Sequence, residues 1–253
     1  MVGGFNSYST INNYGSGTKA TMENVDISTL TFNKVHLVNL LDETMPPDFL
    51  KRFDSVFVWM PTVYSSKKVG LSDGDYGTIN PFNEEFILNL NKFLKENNVL
   101  LVIKPHPMDD AKILENKSNV LYIDEKFLKQ EKLSIYSILK YSDALVTDFS
   151  SIFIDYVNLD KPIAFILENF ESYENSRGFV LNDAEKLMCG SKIKTNEDLV
   201  EFLIDVINQN DKYKERRREC KEMFNVFSTQ LGCEIILKAI GLKESEEKLW
   251  KKL

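Results

Sequence analysis

The sequence is short of the residues that build metal and redox centres. It holds two histidines, His36 and His106, and three cysteines, Cys189, Cys220 and Cys233. None of the cysteines stands in CxxC spacing, so neither a zinc site nor a disulfide framework is expected. No Asp-x-Asp closes a strand-like run, so we expect no metal and no cofactor. Positive charge is not in excess either: 31 Lys and Arg face 38 Asp and Glu, giving a net charge of -7. That argues against a nucleic-acid partner. No window approaches the ~18 continuous apolar residues of a membrane-spanning helix, so any membrane contact is expected to be peripheral. The start of the chain lacks a basic stretch followed by an apolar run, so no signal peptide is expected. Unpatterned cysteines then point to the cytoplasm. Glycine is sparse where a phosphate loop would need it: no strand precedes Gly15 and Gly17, and no third glycine follows.

What is present is an ordinary globular balance, with 43% hydrophobic and 27% charged residues over 253 positions. Residues 1–50 read as an irregular lead-in or the remnant of a missing N-terminal half, with a short strand at Lys34 to Asn39 and a break at Met45, Pro46 and Pro47. From there the pattern becomes regular. Apolar runs at Ser55 to Met60, Val99 to Ile103, Asn119 to Ile123, Ala144 to Thr147 and Ile163 to Leu167 predict buried strands. Helical periodicity falls between them, at Pro81 to Asn97, Lys132 to Tyr141 and Ser150 to Leu159. Strands alternating with helices predict an α/β fold, a doubly wound Rossmann-like parallel sheet. Further helices are predicted near Asn182 to Met188, from a capping box at Thr195 and Asp198, at Asp211 to Asn225 and at Gly232 to Ile240. The expected organisation is a nucleotide-binding domain over 51–242 and a helical tail over 243–253.

Two loops combine placement with chemistry. Lys104, Pro105, His106 and Pro107 follow the strand Val99 to Ile103, and ligands of doubly wound sheets bind at the carboxyl ends of strands. The prolines stiffen the loop, and an imidazole donates hydrogen bonds or takes a proton near neutral pH. The bland reading is a histidine packing a turn. Asp148, Phe149, Ser150 and Ser151 lie between the strand Ala144 to Thr147 and a helix. The unpaired N–H groups of a helix start, with two added hydroxyls, suit a diphosphate. Here the bland reading is a cap by Asp148 or Ser150, which is compatible with anion binding. His36 sits in an undistinguished segment. The basic cluster Lys212, Lys214, Arg216, Arg217 and Arg218 suits anionic lipid or, since Glu215 and Glu219 interleave, a solvated helix face.

The stretch from Tyr141, Ser142 and Asp143 through Asp148 to Ser151, then Asp155 and Tyr156, then Lys161 and Pro162, closely resembles the CDP-glycerol:poly(glycerophosphate) glycerophosphotransferase family. Lys104 to Pro107 matches that family's upstream histidine motif. Trp59, Met60, Pro61 and Thr62 resemble its aromatic-x-Pro-Thr turn. Tyr173, Arg177, Gly178, Phe179 and Asp183 resemble its downstream segment. The likeness covers about residues 55–225, and the order and spacing of the motifs are more specific than any one of them.

The resemblance implies the C-terminal, donor-binding half of a two-domain GT-B transferase. It implies that His106 is catalytic and that Lys104, Asp148, Ser150 and Ser151 hold the donor diphosphate, with Thr62, Arg177, Gly178 and Asp183 as further donor-site residues. The partners it implies are a CDP-activated polyol donor and a polymer or lipid-linked acceptor at the inner membrane face. The family's N-terminal half, with its His-Gly-Thr-Pro-like motif, has no match here, and a partner chain is the expected source of it. Val63, Tyr64 and Ser65 stand where the family has an arginine after Pro-Thr. No Asp-Gly is seen near Phe227 to Gly232. On the residues alone two rivals stay open: a GT-B glycosyltransferase using a nucleotide sugar, and a nucleotide-binding remnant or partner subunit without catalysis.

Overall fold

The computed structural model describes residues 47–63, 65–67, 71–72, 76–176, 178–179 and 184–224. Several expectations fall outside them: the lead-in with its Lys34 to Asn39 strand and His36, the site candidates Arg177 and Asp183, the Gly232 to Ile240 helix and the tail.

Strand β1 (Ser55–Met60) is the centre of a six-stranded parallel sheet. Its neighbours are β4 (Val99–Ile103) and β6 (Ala144–Thr147). Beyond them lie β5 (Val120–Tyr122), β7 (Ile163–Ile166) and β8 (Ser191–Ile193), in the order β5-β4-β1-β6-β7-β8. A two-stranded antiparallel ribbon, β2 (Ser65–Ser66) with β3 (Leu71–Ser72), stands apart from the sheet. The main sheet is the doubly wound Rossmann-like arrangement predicted. Its order reverses between β1 and β6, and that gap is where such sheets bind ligands.

Alternation along the strands sends side chains into two separate cores. Val56, Val58, Leu100, Val102 and Leu145 face α3 (Ile135–Tyr141), α4 (Ile152–Tyr156) and α8 (Lys214–Phe224). Phe57, Trp59, Leu101, Ile103 and Val146 face α1 (Glu84–Glu96) and α7 (Asn196–Ile207), which contribute Ile87, Leu90, Leu94, Leu199, Phe202 and Leu203. Each buried aliphatic or aromatic side chain contributes about 1.5–3 kcal/mol, which is why these strands are apolar on both faces.

The long apolar runs matched prediction; several of the short elements did not. The strands at 55–60, 99–103 and 144–147 have the predicted bounds. Helix α1 starts at Glu84 rather than Pro81, because the Asn83 side chain accepts from Phe86 N and caps it. The capping box at Thr195 and Asp198 opens α7 as expected. Helices α2 (Glu125–Gln130), α5 (Phe170–Ser176) and strand β8 were not anticipated. Strand β8 enters through Gly190, where a Cβ would lie 2.0 Å from the Ile163 carbonyl oxygen. The short helix predicted near Asn182 to Met188 is α6 (Ala184–Leu187), which precedes it. The helix predicted over 150–159 is α4 followed by a 3-10 turn at Val157–Leu159.

Several motif residues belong to this framework. Before β6, Asp143 accepts from Val56 N (2.8 Å) while its own N–H donates to Val56 O (2.7 Å). Ser142 Oγ donates to Leu139 O and accepts from the Tyr156 hydroxyl at 2.8 Å. The Lys161 ammonium donates to the carbonyls of Lys140 and Ser142. All of these lie at the amino edge of the sheet. Four members of the basic cluster are paired with neighbouring acids. Lys212 pairs with Glu201 and Asp205, Arg216 with Glu219, and Arg218 with Asp160 and Glu215. Arg217 is fully buried against Asp211 and Asp160.

One buried acid makes stability depend on pH. Burial pushes the Asp155 carboxyl up to about 6, against the hydrogen bond from the Tyr136 hydroxyl at 2.9 Å. An unfolded aspartate titrates near ~3.9. The folded state therefore holds this proton more tightly, and the charged form costs stability above about pH 6. That cost is relieved as pH falls from about 6 toward about 4. Asp155→Asn keeps an acceptor for Tyr136, so it is expected to stabilise the protein at pH 7, by on the order of 3 kcal/mol. The gain should vanish near pH 4. Urea unfolding of both proteins at the two pH values checks this, and equal stabilities at pH 7 would refute it.

Candidate functional site

The loops at the carboxyl ends of β1, β4, β6 and β7 are tied to one another by side chains. The first tie crosses the switch point. Thr62, just past β1, donates its backbone N–H to both carboxylate oxygens of Asp148, just past β6, at 2.8 and 3.0 Å. The Thr62 hydroxyl donates to the same carboxylate. Asp148 is almost wholly buried, and burial drives its carboxyl upward from the usual range. The bonds from Thr62 and from the N–H groups of Phe149 and Ser150 pull it back down. A buried acid placed this way is engaged with backbone donors and holds the turn. Below this tie, Thr147 Oγ1 donates to Met60 O at 2.8 Å and closes the β1–β6 seam.

The second tie joins β1 to the histidine loop. The Tyr76 hydroxyl lies 2.6 Å from Asp109 Oδ2 and 3.0 Å from the Thr62 carbonyl oxygen. Asp109 N donates to His106 O, which closes the turn. Lys67 N donates to Asp110 Oδ2 at 2.6 Å. The third tie reaches β7. Glu168 accepts from Thr78 N, Thr78 Oγ1 and Ile79 N at 2.7–3.0 Å. Burial opposes ionisation of Glu168, but those bonds hold its carboxyl below the usual range. Glycine at residue 77 lets the carboxylate sit against the main chain, where a Cβ would force it to shift. Tyr76, Asp109 and Glu168 carry no motif and went unread in the sequence.

His106 is exposed at the end of β4, and its Nδ1 accepts from Met108 N at 3.2 Å. The neutral ring therefore carries its proton on Nε2. Lys104 is buried and pairs with Glu125 Oε1 at 2.9 Å. Lys104, His106, Asp109, Asp124 and Glu125 line a pocket of about 230 Å³ walled by Pro105, Pro107, Ala111 and Ile113. On the other side of β1, Ser150 is half-buried with Ile152 N 3.5 Å from its Oγ. Ser151 is exposed and makes no capping bond. Phe149 stacks on Tyr173 at 4.3 Å and meets Phe170 and Phe179, which fixes the turn to α5. Gly178, next to Phe179, is exposed with φ +67. The structure thus brings Thr62 and Asp148 into contact and places Lys104 with His106 in one pocket. The serine turn stands beside them across β1. Among the described residues no three His, Cys, Asp or Glu side chains gather as a metal site requires, and no helix is long and apolar enough to cross a membrane.

A family model described as CDP-glycerol:poly(glycerophosphate) glycerophosphotransferase matches residues 43–241. The teichoic acid poly(glycerol phosphate) polymerase of Bacillus spizizenii is 31% identical over 120 residues, which is 47% of this chain and 28% of that protein. The teichoic acid glycerol-phosphate primase of Bacillus subtilis is 31% identical over 102 residues, 40% of this chain and 24% of that one. The chain thus spans about a quarter of the length of these relatives. A solved structure of a variant of the wall teichoic acid polymerase TagF, soaked with CDPG, superposes with a TM-score of 0.52 at 20% identity. It covers 81% of this chain and 44% of that one, and at such identity the likeness is one of fold.

The Thr62 hydroxyl is the part of the first tie that mutation can remove cleanly. Thr62→Val keeps shape and the backbone N–H but deletes one donor to a buried carboxylate. A charge-assisted bond of this kind is worth about 1.5–3 kcal/mol. Urea unfolding should show a loss of that size, with Thr62→Ser restoring most of it. A wild-type midpoint for Thr62→Val would mean that the backbone donor alone holds Asp148.

Proposed function

The chain belongs to the CDP-glycerol:poly(glycerophosphate) glycerophosphotransferase family, and from that premise we propose that it is the donor-binding domain of a transferase. It moves glycerol phosphate, or a related polyol phosphate, from a CDP-linked donor to a hydroxyl of a cell-surface polymer or lipid-linked acceptor. The observation that carries this reading is the Thr62–Asp148 bond across the switch point. It supports a fixed cradle in which the Ser150 and Ser151 turn and the Lys104 and His106 loop flank the end of β1.

In the reaction the acceptor oxygen attacks the donor's β-phosphorus. A new P–O bond forms, the bond to the α-phosphate oxygen breaks, and CMP leaves with the electron pair. The acceptor's proton passes to a base on a facing half, which a GT-B arrangement supplies from the same protein or a partner chain. This domain's task is to screen charge growing on the leaving phosphate. The hydroxyls of Ser150 and Ser151, the Lys104 ammonium and the Nε2–H of His106 are the donors for it. Thr62, Gly178, Arg177 and Asp183 complete the donor site in this reading. Asp148 orients the turn and leaves contact with phosphate to its neighbours, since an anion facing an anion would repel it. The work is done at the inner face of the cell membrane. The cluster at Lys212 to Arg218, largely paired with acids, adds no support for lipid contact there.

Two variants separate binding from chemistry. Ser150→Ala combined with Ser151→Ala removes hydrogen bonds to an anion and leaves the backbone donors. CDP affinity measured by calorimetry should fall at least about tenfold without vanishing. His106→Ala should leave CDP affinity nearly unchanged and the melting temperature within a few degrees. In an assay supplied with the facing half, it should lower turnover ~10²-fold or more. Full turnover in the folded His106→Ala protein would remove the imidazole from the mechanism. Cooperative loss of fold would make it a structural turn.

A further inference from the structure

We propose that Tyr76 is a positioning residue for His106: its hydroxyl sets where the histidine turn stands relative to the Thr62–Asp148 tie. The inference rests on the donor reading above and adds a residue on which the imidazole depends for its place.

Tyr76 is held at several points. Its main chain is pinned from the β7 side. Gly77 lies against the Glu168 carboxylate, and Thr78 N and Ile79 N donate to that group at 2.8 and 3.0 Å. Its ring meets Phe82 edge-on with centroids 4.9 Å apart, and Phe82 packs on the core beside α1. Its hydroxyl lies 2.6 Å from Asp109 Oδ2 and 3.0 Å from the Thr62 carbonyl oxygen. One side chain therefore reaches the loops after β1 and β4, while its own main chain is fixed to the loop after β7. A tyrosine has only two side-chain torsions, so a ring seated this way places its oxygen with little freedom.

Asp109 carries that position to the histidine. Its Oδ2 meets Tyr76, its Oδ1 accepts from Ala111 N at 2.7 Å, and its own N–H donates to His106 O at 3.0 Å. Both carboxylate oxygens and the main chain are engaged, so the stretch from 106 to 111 moves with Asp109 as one piece. Inside it, Met108 N donates to His106 Nδ1 at 3.2 Å. His106 is exposed, so hydrogen bonds orient its ring more than packing does. Without the Tyr76 hydroxyl, Asp109 keeps Ala111 N but loses its link to β1 and to the core. The turn then leans on its internal bonds and on Lys67 N, which donates to Asp110 at 2.6 Å. It shifts rather than detaches, and the imidazole ranges more widely. A reacting group misplaced by about 1 Å can lose on the order of 10²-fold in rate. The serine turn lies across β1 from this change, so its hold on the donor is spared.

Tyr76→Phe keeps the ring on Phe82 and deletes the oxygen. In an assay supplied with the facing half, turnover should fall at least about tenfold. CDP affinity by calorimetry should stay within about twofold, and the melting temperature within a few degrees. In a His106→Ala background the same substitution should cost no further turnover, because the group it places is gone. A second readout is independent of turnover. The chain holds two histidines, so nuclear relaxation of isotope-labelled histidine rings reports His106 with His36 as an internal reference. Tyr76→Phe should make the His106 ring more mobile and leave His36 unchanged. Full turnover in Tyr76→Phe, or an unchanged His106 ring, overturns the inference. So does an equal cost in the His106→Ala background, since Tyr76 would then act elsewhere. A parallel loss of CDP affinity and melting temperature would make Tyr76 a plain structural support. Full turnover in His106→Ala alone removes the imidazole and this inference with it, while donor binding by the serine turn stands. If the wild type fails to bind CDP, the donor reading falls, and ring relaxation still decides whether Tyr76 holds His106.

Discussion

A carboxylate buried at the end of a strand is unstable unless donors surround it, and the carboxyl edge of this sheet is organised around that constraint. Asp148 is held by the backbone N–H and hydroxyl of Thr62, 86 residues away in sequence. The bond sets how far apart the ends of β1 and β6 stand at the point where the sheet changes direction. The Thr62 carbonyl meets Tyr76, Tyr76 meets Asp109, and Asp109 closes the turn that presents His106. Displacing Asp148 would therefore disturb the histidine loop without any direct contact between them. Burying a charge is costly, and here the cost is offset by using the charge as the fixed point from which two loops are measured.

The motifs that tie this chain to its family divide by edge of the sheet. Ser142, Asp143, Tyr156 and Lys161 lie at the amino edge, where each joins a strand start to a neighbouring element. Thr62, Lys104 to Pro107 and Asp148 to Ser151 lie at the carboxyl edge. The first group makes the parallel strands stack in register. The second uses the loops that this register brings together. A short motif such as Thr-Asp-Phe-Ser-Ser spans both functions, since Thr147 seals the seam and Ser151 faces outward.

How much the sequence revealed follows from the same physics. Strands β1, β4 and β6 were legible to the residue because burial on both faces demands unbroken apolar runs. Strand β8 was not, because an edge strand of three residues with an exposed Lys192 has no such run. It is recognisable only once Gly190 is seen pressed on Ile163. Helix α2 is six residues long, too short for periodicity to register, and Asp124 caps it in a stretch that reads as loop. The loops carrying His106 and the serines were found from their place after strands. The ties between them were hidden, because hydrogen bonds between residues 14 to 90 positions apart leave no spacing to read.

Among the described residues between β1 and α1, the main chain is held at four places by acids from three other loops. Thr62 N–H goes to Asp148, Lys67 N–H to Asp110, and the N–H groups of Thr78 and Ile79 to Glu168. In amide hydrogen exchange these four N–H groups are expected to be protected like those of a sheet. Their protons are shielded by side-chain carboxylates and become free together only when several loops part at once. A segment that opens this way is a cooperative unit, and the slow step of its exchange reports the loosening of the whole carboxyl edge.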